Sequence, residues 1–111
     1  FNYSLAECDA EARLLSVAAE TQTAVIVNRP FAQGELFARV KGVPVPPWAQ
    51  DFGCASWAQF FLKYLIAHPS VNVVIPGTDR VEHMLDNIEA GRTRLPNAAQ
   101  RKRMVEFIGA V

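Results

Sequence analysis

Short apolar runs alternate along the chain with stretches in which apolar residues recur at helical spacing. Residues 1–5, 24–27 and 71–75 have the length and composition of strands. Because the sequence AVIV at residues 24–27 is apolar on both faces, it predicts a buried parallel strand rather than a half-solvated antiparallel one.

Two Ser-x-x-Glu or Ser-x-x-Gln patterns predict the starts of helices. In the first pattern, Ser4 and Glu7 should open a helix that continues to about residue 20. In the second, Ser56 and Gln59 should open a helix that continues to about residue 67, where Pro69 stops it. The second helix is apolar on nearly every side, so we expect it to be deeply packed or to lie against a partner.

The rest of the chain contains two more helices and a long connection. We predict helices over residues 80–90 and over residues 96–109, the second with Pro96 as its first helical residue. The proline-rich residues 41–48 cannot form a regular helix, although short helical turns fit residues 35–40 and 48–52.

The order of elements is strand, helix, strand, long loop, helix, strand, helix, helix. Strands that alternate with helices indicate βαβ units and a parallel sheet, so the predicted class is α/β. A sheet of three parallel strands has two open edges, and we therefore interpret residues 1–111 as a single partial domain. The opening FNYSL has no starting Met and already has the pattern of a strand, which predicts a fragment or a processed product.

Composition narrows the classes of function. The chain is 50% hydrophobic with a formal net charge of zero, which favours a globular core over a disordered chain. Zero net charge also argues against a nucleic-acid partner, because such proteins need a basic surface. The basic run at residues 101–103 is predicted to be a solvated helix face. No apolar run is long enough to span a membrane, and no signal peptide is visible.

The two cysteines offer no metal site. Cys8 and Cys54 are far apart in the sequence and lack the spacing of metal ligands. We expect two buried or free thiols, although the sequence leaves a disulfide open.

The most informative segment is VNVVIPGTDRVEHMLDN, residues 71–87. An apolar strand leads through a Pro-Gly turn and a polar cap into an amphipathic helix. Such a turn directs the free N–H groups of a helix N-terminus at one point, where a phosphate can bind. Arg80 adds a positive charge on the first helical turn. Taken alone, the pattern fits either an anion site or a plain strand-to-helix connection.

In order with its neighbours, this segment resembles the C-terminal part of an aldo-keto reductase, an NADP(H)-dependent (β/α)8 barrel. NYSLAECDAEARLL resembles the sixth strand and its helix, and AVIVNRPFAQGELF resembles the seventh strand and its cofactor loop. WAQFFLKYLIAHPSVNVVIPGTDRVEHMLDNIEA resembles helix seven, strand eight and the cofactor-binding helix. The resemblance covers nearly the whole chain and implies the C-terminal half of a TIM barrel, with helix seven in the outer layer.

The resemblance implies that the loop after strand eight and its helix hold the adenosine phosphate end of the cofactor. Pro76, Gly77 and Thr78 would line this site, with backbone N–H groups and the Thr78 hydroxyl as donors. Arg80 would contact the 2′-phosphate through a charge-assisted hydrogen bond. A phosphate site after strands seven and eight is common in barrels of this class.

Two further sets of residues are implied in the same way. Asp86 and Asn87 match residues that hydrogen-bond adenine, and Pro30, Phe31 and Gly34 match the segment that covers the pyrophosphate. The structural alternatives are a solvated helix face at Asp86 and Asn87 and an ordinary turn glycine at Gly34.

The chain departs from the family pattern at the end of strand seven. Many relatives have an aromatic residue there that stacks on nicotinamide, whereas this chain has Asn28. Arg29 follows where a small hydroxyl residue is frequent. We place Asn28 and Arg29 among the cofactor residues, and Arg29 fits either a pyrophosphate contact or a structural salt bridge.

The family's catalytic Asp, Tyr, Lys and His lie on early strands and loops that this chain does not contain. Lys63 and Tyr64 cannot replace them, because adjacent helical residues do not face each other. The resemblance therefore implies the NADP(H)-binding portion of an oxidoreductase that reduces a small carbonyl substrate, an aldehyde or a ketone. The isolated chain is predicted to be inactive.

Two other functions stay open. One is a non-enzymatic nucleotide-binding half-barrel, and the second is a chain without ligand that self-associates through its open sheet edges. We expect no nucleic-acid or membrane partner, and either self-association or pairing with the missing N-terminal half. A nucleotide cofactor makes the cytoplasm the expected location.

Overall fold

The computed structural model describes residues 1–78 and 80–111. Within them, two strands form a sheet: β1, Ile26–Val27, and β2, Val73–Val74. The α-helices are α1, Leu14–Glu20; α2, Glu35–Arg39; α3, Trp57–Ile66; α4, Val81–Glu89; and α5, Ala98–Ala110. Short 3-10 helices span Asp9–Glu11, Ala32–Gly34 and Pro47–Phe52.

The sheet is parallel, as the alternation of strands and helices predicts. Ile26 lies opposite Val73, and an isolated parallel bridge joins Asn2 to Asn28 on the other side of β1. The predicted strand at residues 1–5 is thus reduced to one bridge, and the other two strands are shorter than their apolar runs. The α/β class of the sequence prediction is confirmed.

The prediction that residues 24–27 are buried on both faces is wrong. Val27 is fully buried, but Ile26 is 50% exposed. Val73 and Ile75 point to the same side as Ile26, because cross-strand partners and residues two positions apart share a face. Both are similarly exposed. The described helices therefore cover one face of the sheet and leave the other open.

The first predicted helix begins nine residues later than its capping pattern indicates, at Leu14. The Ser4 hydroxyl does accept a hydrogen bond from the Glu7 amide at 3.0 Å, as a cap would. However, the Ser4 amide also donates to the Glu7 carbonyl, which closes a turn instead of starting a helix. The side chain of Glu11 then bonds to Tyr64, so tertiary contacts override the local helical preference.

Helix α3 forms the centre of the core, as its apolar sequence predicts. The Ser56 hydroxyl caps it by accepting from the Gln59 amide at 3.2 Å. Every residue from Gln59 to Leu65 is buried. Its largest apolar side chains join those of the sheet and α5 in one cluster, which includes Phe60, Phe61, Leu65, Val27, Met104 and Ile108.

The last helix does not begin at Pro96 as predicted. Asn97 is its N-cap, and Asn97 and Gln100 form a reciprocal pair of hydrogen bonds, each of 2.8 Å. Pro96 precedes this cap. The capping box satisfies two free donors at the helix start, which Pro96 as the first helical residue could not do.

The prediction that residues 101–103 form a solvated face is wrong for Arg101, which is partly buried. Arg101 bonds to the Glu11 carboxylate at 3.1 Å and to the Tyr64 carbonyl at 3.0 Å. The guanidinium of Arg103 stacks over the Trp48 ring at 4.4 Å. Both guanidinium groups connect α5 to the rest of the fold, although Arg103, like Lys102, is exposed.

Candidate functional site

Two adjoining clefts lie where the carboxyl ends of β1 and β2 meet, the edge at which parallel α/β sheets bind ligands. We call the first, of about 380 Å³, the helix cleft; it is lined by Phe31, Phe37, Ser56, Trp57, Ala58, Gly77, Thr78, His83, Asp86 and Asn87. The second, of about 390 Å³, is the loop cleft; it is lined by Arg29, Pro30, Phe31, Gln33, Gly34, Phe37, Ile75, Pro76 and Gly77. Phe31, Phe37 and Gly77 belong to both.

Almost every residue that the family resemblance implies for the cofactor lines one of these clefts. Asn28 and Arg80 are the exceptions, and both are exposed beside them. The two sets come from segments more than forty positions apart in the sequence, the loop after β1 and the loop after β2. The fold brings both loops to one edge of the sheet, whereas the roles of the individual residues remain predictions.

The loop after β1 has an unusual backbone. Arg29, Ala32 and Gln33 have φ angles of 52°, 52° and 57°, in the left-handed region that non-glycine residues rarely adopt. Gly34 follows at 87°, where the lack of a Cβ removes the steric cost. Such strain tends to concentrate in segments that bind ligands. Pro30 is buried between these turns, and the Arg29 side chain extends from the exposed rim of the loop cleft.

An aromatic wall separates the two clefts. The rings of Phe31 and Phe37 lie 4.7 Å apart between centroids, with an interplanar angle of 55°. Phe37 also meets the edge of Phe61 on α3 at 5.4 Å. Contacts of this geometry fix aromatic rings in place. The wall is therefore anchored to the core helix while its outer side faces the clefts.

A hydrogen bond joins the loop after β2 to the start of α4. The Thr78 hydroxyl accepts from the Arg80 amide at 3.2 Å. Arg80 is the N-cap residue of α4, one position before the first helical turn on which the sequence placed it. Its Nε and Nη2 atoms both lie 3.0 Å from Oε1 of Glu82.

The Arg80–Glu82 pair is open to solvent, with side chains 63% and 64% exposed. Hydrogen bonding to the backbone N–H of Glu82, with a further contribution from Arg80, lowers the pKa of the Glu82 carboxyl. An ion pair this exposed contributes little to stability. A ligand phosphate could therefore replace Glu82 as the partner of Arg80 at small cost.

Asp86 is held by the start of α3. Its Oδ2 accepts from the Ser56 hydroxyl at 2.7 Å, and its Oδ1 accepts from the Gln59 side-chain amide at 2.8 Å. Its neighbour Asn87 is nearly buried. The sequence placed both residues on a helix face as adenine contacts; the structure also gives Asp86 a role in joining α4 to α3.

The other end of α4 is fixed by a buried lysine. Nζ of Lys63 donates to the carbonyls of Ala90 at 3.1 Å and Arg94 at 2.7 Å. Burial lowers the pKa of this ammonium group. Lys63 therefore satisfies free carbonyl groups at the helix end and positions α4.

Seven residues that line the clefts were not assigned to the site by the sequence: Gln33, Phe37, Ser56, Trp57, Ala58, Ile75 and His83. The sequence identified Ser56 only as a helix cap. Trp57 does pack, donating from Nε1 to the Val43 carbonyl at 2.8 Å, but it also lines the helix cleft. Phe37, on the short helix after the first cofactor loop, carried the clearest signal, because an exposed aromatic residue beside such a loop is a natural ligand contact.

A second polar cluster lies away from the clefts. The Glu11 carboxylate accepts hydrogen bonds from Tyr3, from Tyr64 at 2.6 Å and from Arg101 at 3.1 Å. Burial alone would raise the pKa of Glu11, but the two tyrosine hydroxyls and the positive charge of Arg101 lower it on balance. Burial, followed by the hydrogen bond to Glu11, raises the pKa of Tyr64. These groups link the start of the chain to α3 and α5.

The cysteines and acidic residues form no metal site in the part of the chain that the structure describes. Cys8 and Cys54 are free thiols, as the sequence predicts. Burial raises the pKa of the Cys54 thiol to about 12, which disfavours the reactive thiolate at neutral pH. Among the described residues, no group of three or more His, Cys, Asp or Glu side chains could hold a metal ion. None of their helices is long and apolar enough to cross a membrane.

Comparisons with known proteins identify the fold. No protein-family model matches the chain, and no curated protein matches it. Two solved structures superpose on nearly all of it. One is the thermostable aldo-keto reductase Tm1743, solved with the inhibitor epalrestat, at 20% identity, a TM-score of 0.70 and 95% of this chain. Another is the aldo-keto reductase AKR11C1 from Bacillus halodurans in its holo form, at 18% identity, a TM-score of 0.72 and 96% of this chain.

The chain spans about 37% and 40% of the length of these two proteins. The matched portion is their C-terminal part. The predicted fold, parallel strands and helices from the C-terminal part of an aldo-keto reductase barrel, is therefore confirmed. At this level of identity the likeness concerns the fold, and the residues of the clefts must support any function by their own chemistry.

Proposed function

We propose that this chain is the NADP(H)-binding C-terminal portion of an aldo-keto reductase-like oxidoreductase that reduces aldehydes or ketones. One observation carries the proposal. The two loops to which the family resemblance assigns the cofactor, 28–34 and 76–78, come from distant parts of the sequence and border two adjoining clefts. The cytoplasm is the location that fits a nucleotide cofactor of this kind.

The described residues fit a dinucleotide phosphate in size and charge. Each cleft lies within the range of roughly 300 to 1,000 Å³ that is typical of small-molecule sites. α4 begins shortly after Gly77 and Thr78, which line the helix cleft, and the free N–H groups and dipole of a helix N-terminus favour an anion. Arg80, which pairs with the exposed Glu82, supplies a positive charge at the same end.

Each part of the site would have a distinct task. Gly77 and Thr78 would hold the adenosine phosphate with backbone N–H groups and a hydroxyl, and Arg80 would bind the 2′-phosphate. Pro30 and Gly34 would cover the pyrophosphate, with Arg29 as a charged contact at the rim. When bound, NADPH supplies the hydride for the carbonyl carbon, and the chain supplies binding and orientation.

Fluorescence titration of the 111-residue chain with NADPH tests the proposal. Trp57 lines the helix cleft, so bound NADPH should quench its emission and receive energy from it. We expect saturable binding, and Arg80→Ala should weaken NADPH binding about tenfold while NADH binding changes little. Loss of one charge-assisted hydrogen bond accounts for this factor.

Arg92→Ala is the matched control for Arg80→Ala. Arg92 is also exposed, also pairs with a glutamate of α4, at 3.2 Å, and stands at the opposite end of that helix. Arg92→Ala should leave the affinity for both NADPH and NADH unchanged. Equal weakening by the two substitutions, or equal weakening of NADPH and NADH by Arg80→Ala, would count against the 2′-phosphate contact.

The proposed partner of this chain is the remainder of a barrel. β2 hydrogen-bonds to β1, and its other edge has no strand beside it in residues 1–78 and 80–111. α4, which follows that edge, exposes an apolar stripe formed by Val81, Met84, Leu85 and Ile88. A further parallel strand and its helix would pair with the edge and cover the stripe.

A second copy of the chain fits this surface less well. One copy provides three parallel segments, around Asn2, β1 and β2. Two copies would therefore supply fewer than the eight strands of the barrel. The exposed stripe nevertheless supports one other candidate, a self-associating half-barrel without catalysis. Failure of NADPH to bind, together with a dimer in sedimentation, would favour that candidate over the cofactor site.

A further inference from the structure

We propose that Ser56 and Gln59 are positioning residues that orient the Asp86 carboxylate so that the helix cleft accepts adenine and rejects a 6-oxopurine base. The inference rests on the proposed function, in which Asp86 contacts the adenine of NADP(H). It adds the two residues of α3 that fix this contact, and the selectivity that follows from it.

Gln59 has no freedom to turn away from Asp86. Gln59 is 4% exposed, and both the nitrogen and the oxygen of its side-chain amide form hydrogen bonds. Nε2 donates to Oδ1 of Asp86 at 2.8 Å and to the Asp86 carbonyl at 3.3 Å, while Oε1 accepts from the Ala55 amide at 2.9 Å. The amide orientation is thereby determined, because a flipped amide would place like groups together at both ends.

Ser56 fixes the second oxygen of the same carboxylate. Its hydroxyl accepts from the Gln59 amide as the helix cap and donates to Oδ2 of Asp86 at 2.7 Å. Since the cap already uses one side of the hydroxyl, its proton is directed to Asp86. Both carboxylate oxygens are therefore held from the side of α3.

The held carboxylate still has capacity for a ligand. Each carboxylate oxygen can accept about two hydrogen bonds, and the described contacts supply one side-chain donor to each oxygen. Asp86 also lines the helix cleft. The exocyclic amine of adenine would donate to the remaining lone pairs, whereas the 6-oxo group of hypoxanthine would place a carbonyl oxygen against a carboxylate that cannot rotate away.

The contacts described also fit a purely structural role, in which Ser56, Gln59 and Asp86 only join α3 to α4. The two roles predict different results for base selectivity. If these contacts are only structural, their loss should weaken the binding of all nucleotides by the same factor. A positioning role would change the ratio between an amino-bearing and an oxo-bearing base.

The experiment compares NADPH with its hypoxanthine analogue, both titrated into the 111-residue chain by tryptophan fluorescence. The unmodified chain should bind NADPH at least about tenfold more tightly than the hypoxanthine analogue, because one unfavourable polar contact weakens binding by about this factor. Ser56→Ala should reduce this ratio several-fold, and Ser56→Thr, which keeps the hydroxyl, should restore it. Asp86→Asn should reduce the ratio further, because the amide can donate to the 6-oxo group.

Asn97→Ala is the matched control for the loss of a helix cap. Asn97 caps α5 as Ser56 caps α3, through the same type of bond to the amide three residues on, and it does not line the cleft. Asn97→Ala should leave the ratio of the affinities for NADPH and its hypoxanthine analogue unchanged.

The outcomes separate the inference from the proposal beneath it. Saturable binding of both nucleotides with a ratio near one in the unmodified chain would overturn the inference alone, and this test needs no variant to fold. A fall in both affinities at constant ratio in Ser56→Ala would assign Ser56 to structure and overturn its positioning role. No saturable binding of either nucleotide would overturn the proposed function and the inference together.

Discussion

Two arginine–glutamate pairs of almost equal length have opposite surroundings in this molecule. Arg101 and Glu11 are 3.1 Å apart with side chains 17% and 32% exposed, whereas Arg80 and Glu82 are 3.0 Å apart and mostly exposed. The first pair belongs to a cluster that includes Tyr64. The second stands at the open end of α4. Equal distance thus does not mean equal function: the first pair joins distant parts of the fold, and we propose that the second exchanges its partner for a ligand.

The largest expected effect is the loss of stability when Arg101 is removed. Arg101→Ala would delete the Glu11 ion pair, the bond to the Tyr64 carbonyl and the stacking of the guanidinium on the Tyr64 ring at 4.2 Å. We expect a loss of about 2–3 kcal/mol in the free energy of unfolding, less than for a fully buried pair because Glu11 is partly solvated. Urea denaturation followed by circular dichroism measures this change.

Lys102→Ala is the control for Arg101→Ala. Lys102 is the next residue on the same helix and is exposed. Its replacement should change the free energy of unfolding by no more than about 0.5 kcal/mol. Similar losses for both substitutions would contradict the contrast between the two pairs.

The next largest effect is the pH dependence of stability that comes from Glu11, in the same cluster. The pKa of Glu11 is lower in the folded chain than its ordinary value of 4.5, so folding favours the ionised form. Its contribution to stability is fully present above pH 4.5 and is lost as the pH falls through the folded pKa. Glu11→Gln should be less stable at neutral pH and should lose less stability on acidification, as unfolding curves at several pH values below neutrality would show.

Glu82→Gln sharpens this comparison. The pKa of Glu82 is also lowered, but its side chain is open to solvent. We expect its replacement to leave the acid dependence of stability almost unchanged, because an exposed pair is screened by water. A change equal to that of Glu11→Gln would contradict the view that burial distinguishes the two pairs.

The elements that the sequence predicts well are those decided by local pattern. The cap at Ser56 and the apolar residues after it predict α3, and the Pro-rich connection and the short α2 also match. Their backbone hydrogen bonds and apolar faces depend on residues only a few positions away. The parallel pairing of β1 and β2 follows from the alternation of strand and helix.

The sequence predictions are wrong where contacts between distant residues determine the structure. Glu11 is held by Tyr64, 53 positions away, and this contact replaces the helix that Ser4 and Glu7 predict. Arg101 reaches back 90 positions to Glu11, which no charge pattern reveals. The tie between Asp86 and Ser56 spans 30 positions and changes a surface helix residue into part of a cleft wall. A single sequence gives no measure of such contacts.

A smaller effect is expected on the open side of α4. Leu85 is 61% exposed in the middle of the apolar stripe, so Leu85→Glu should change the free energy of unfolding by less than about 0.5 kcal/mol. If the stripe mediates self-association, the same substitution should convert any dimer in sedimentation to monomer. Lys102→Ala, which makes the chain more negative by the same single charge at an exposed position of α5, controls for the change of charge alone.

The smallest expected effect on stability is that of Arg80→Ala. Because the Arg80–Glu82 pair is exposed, its loss should change the free energy of unfolding by no more than about 0.5 kcal/mol. Thermal unfolding of this variant beside Arg101→Ala gives the comparison directly. A loss of stability as large as that of Arg101→Ala would show that Arg80 maintains the fold instead of serving as a ligand contact.

The central claim is that the loops after β1 and β2 form one NADP(H) site beside the exposed arginine. Amide hydrogen exchange on the 111-residue chain, with and without NADPH, tests it most directly. We predict slower exchange in both loops and in the first turn of α4, with no change in the Asn97 cap or the rest of α5. Protection of one loop only, or of α5 in place of the loops, would contradict a shared site.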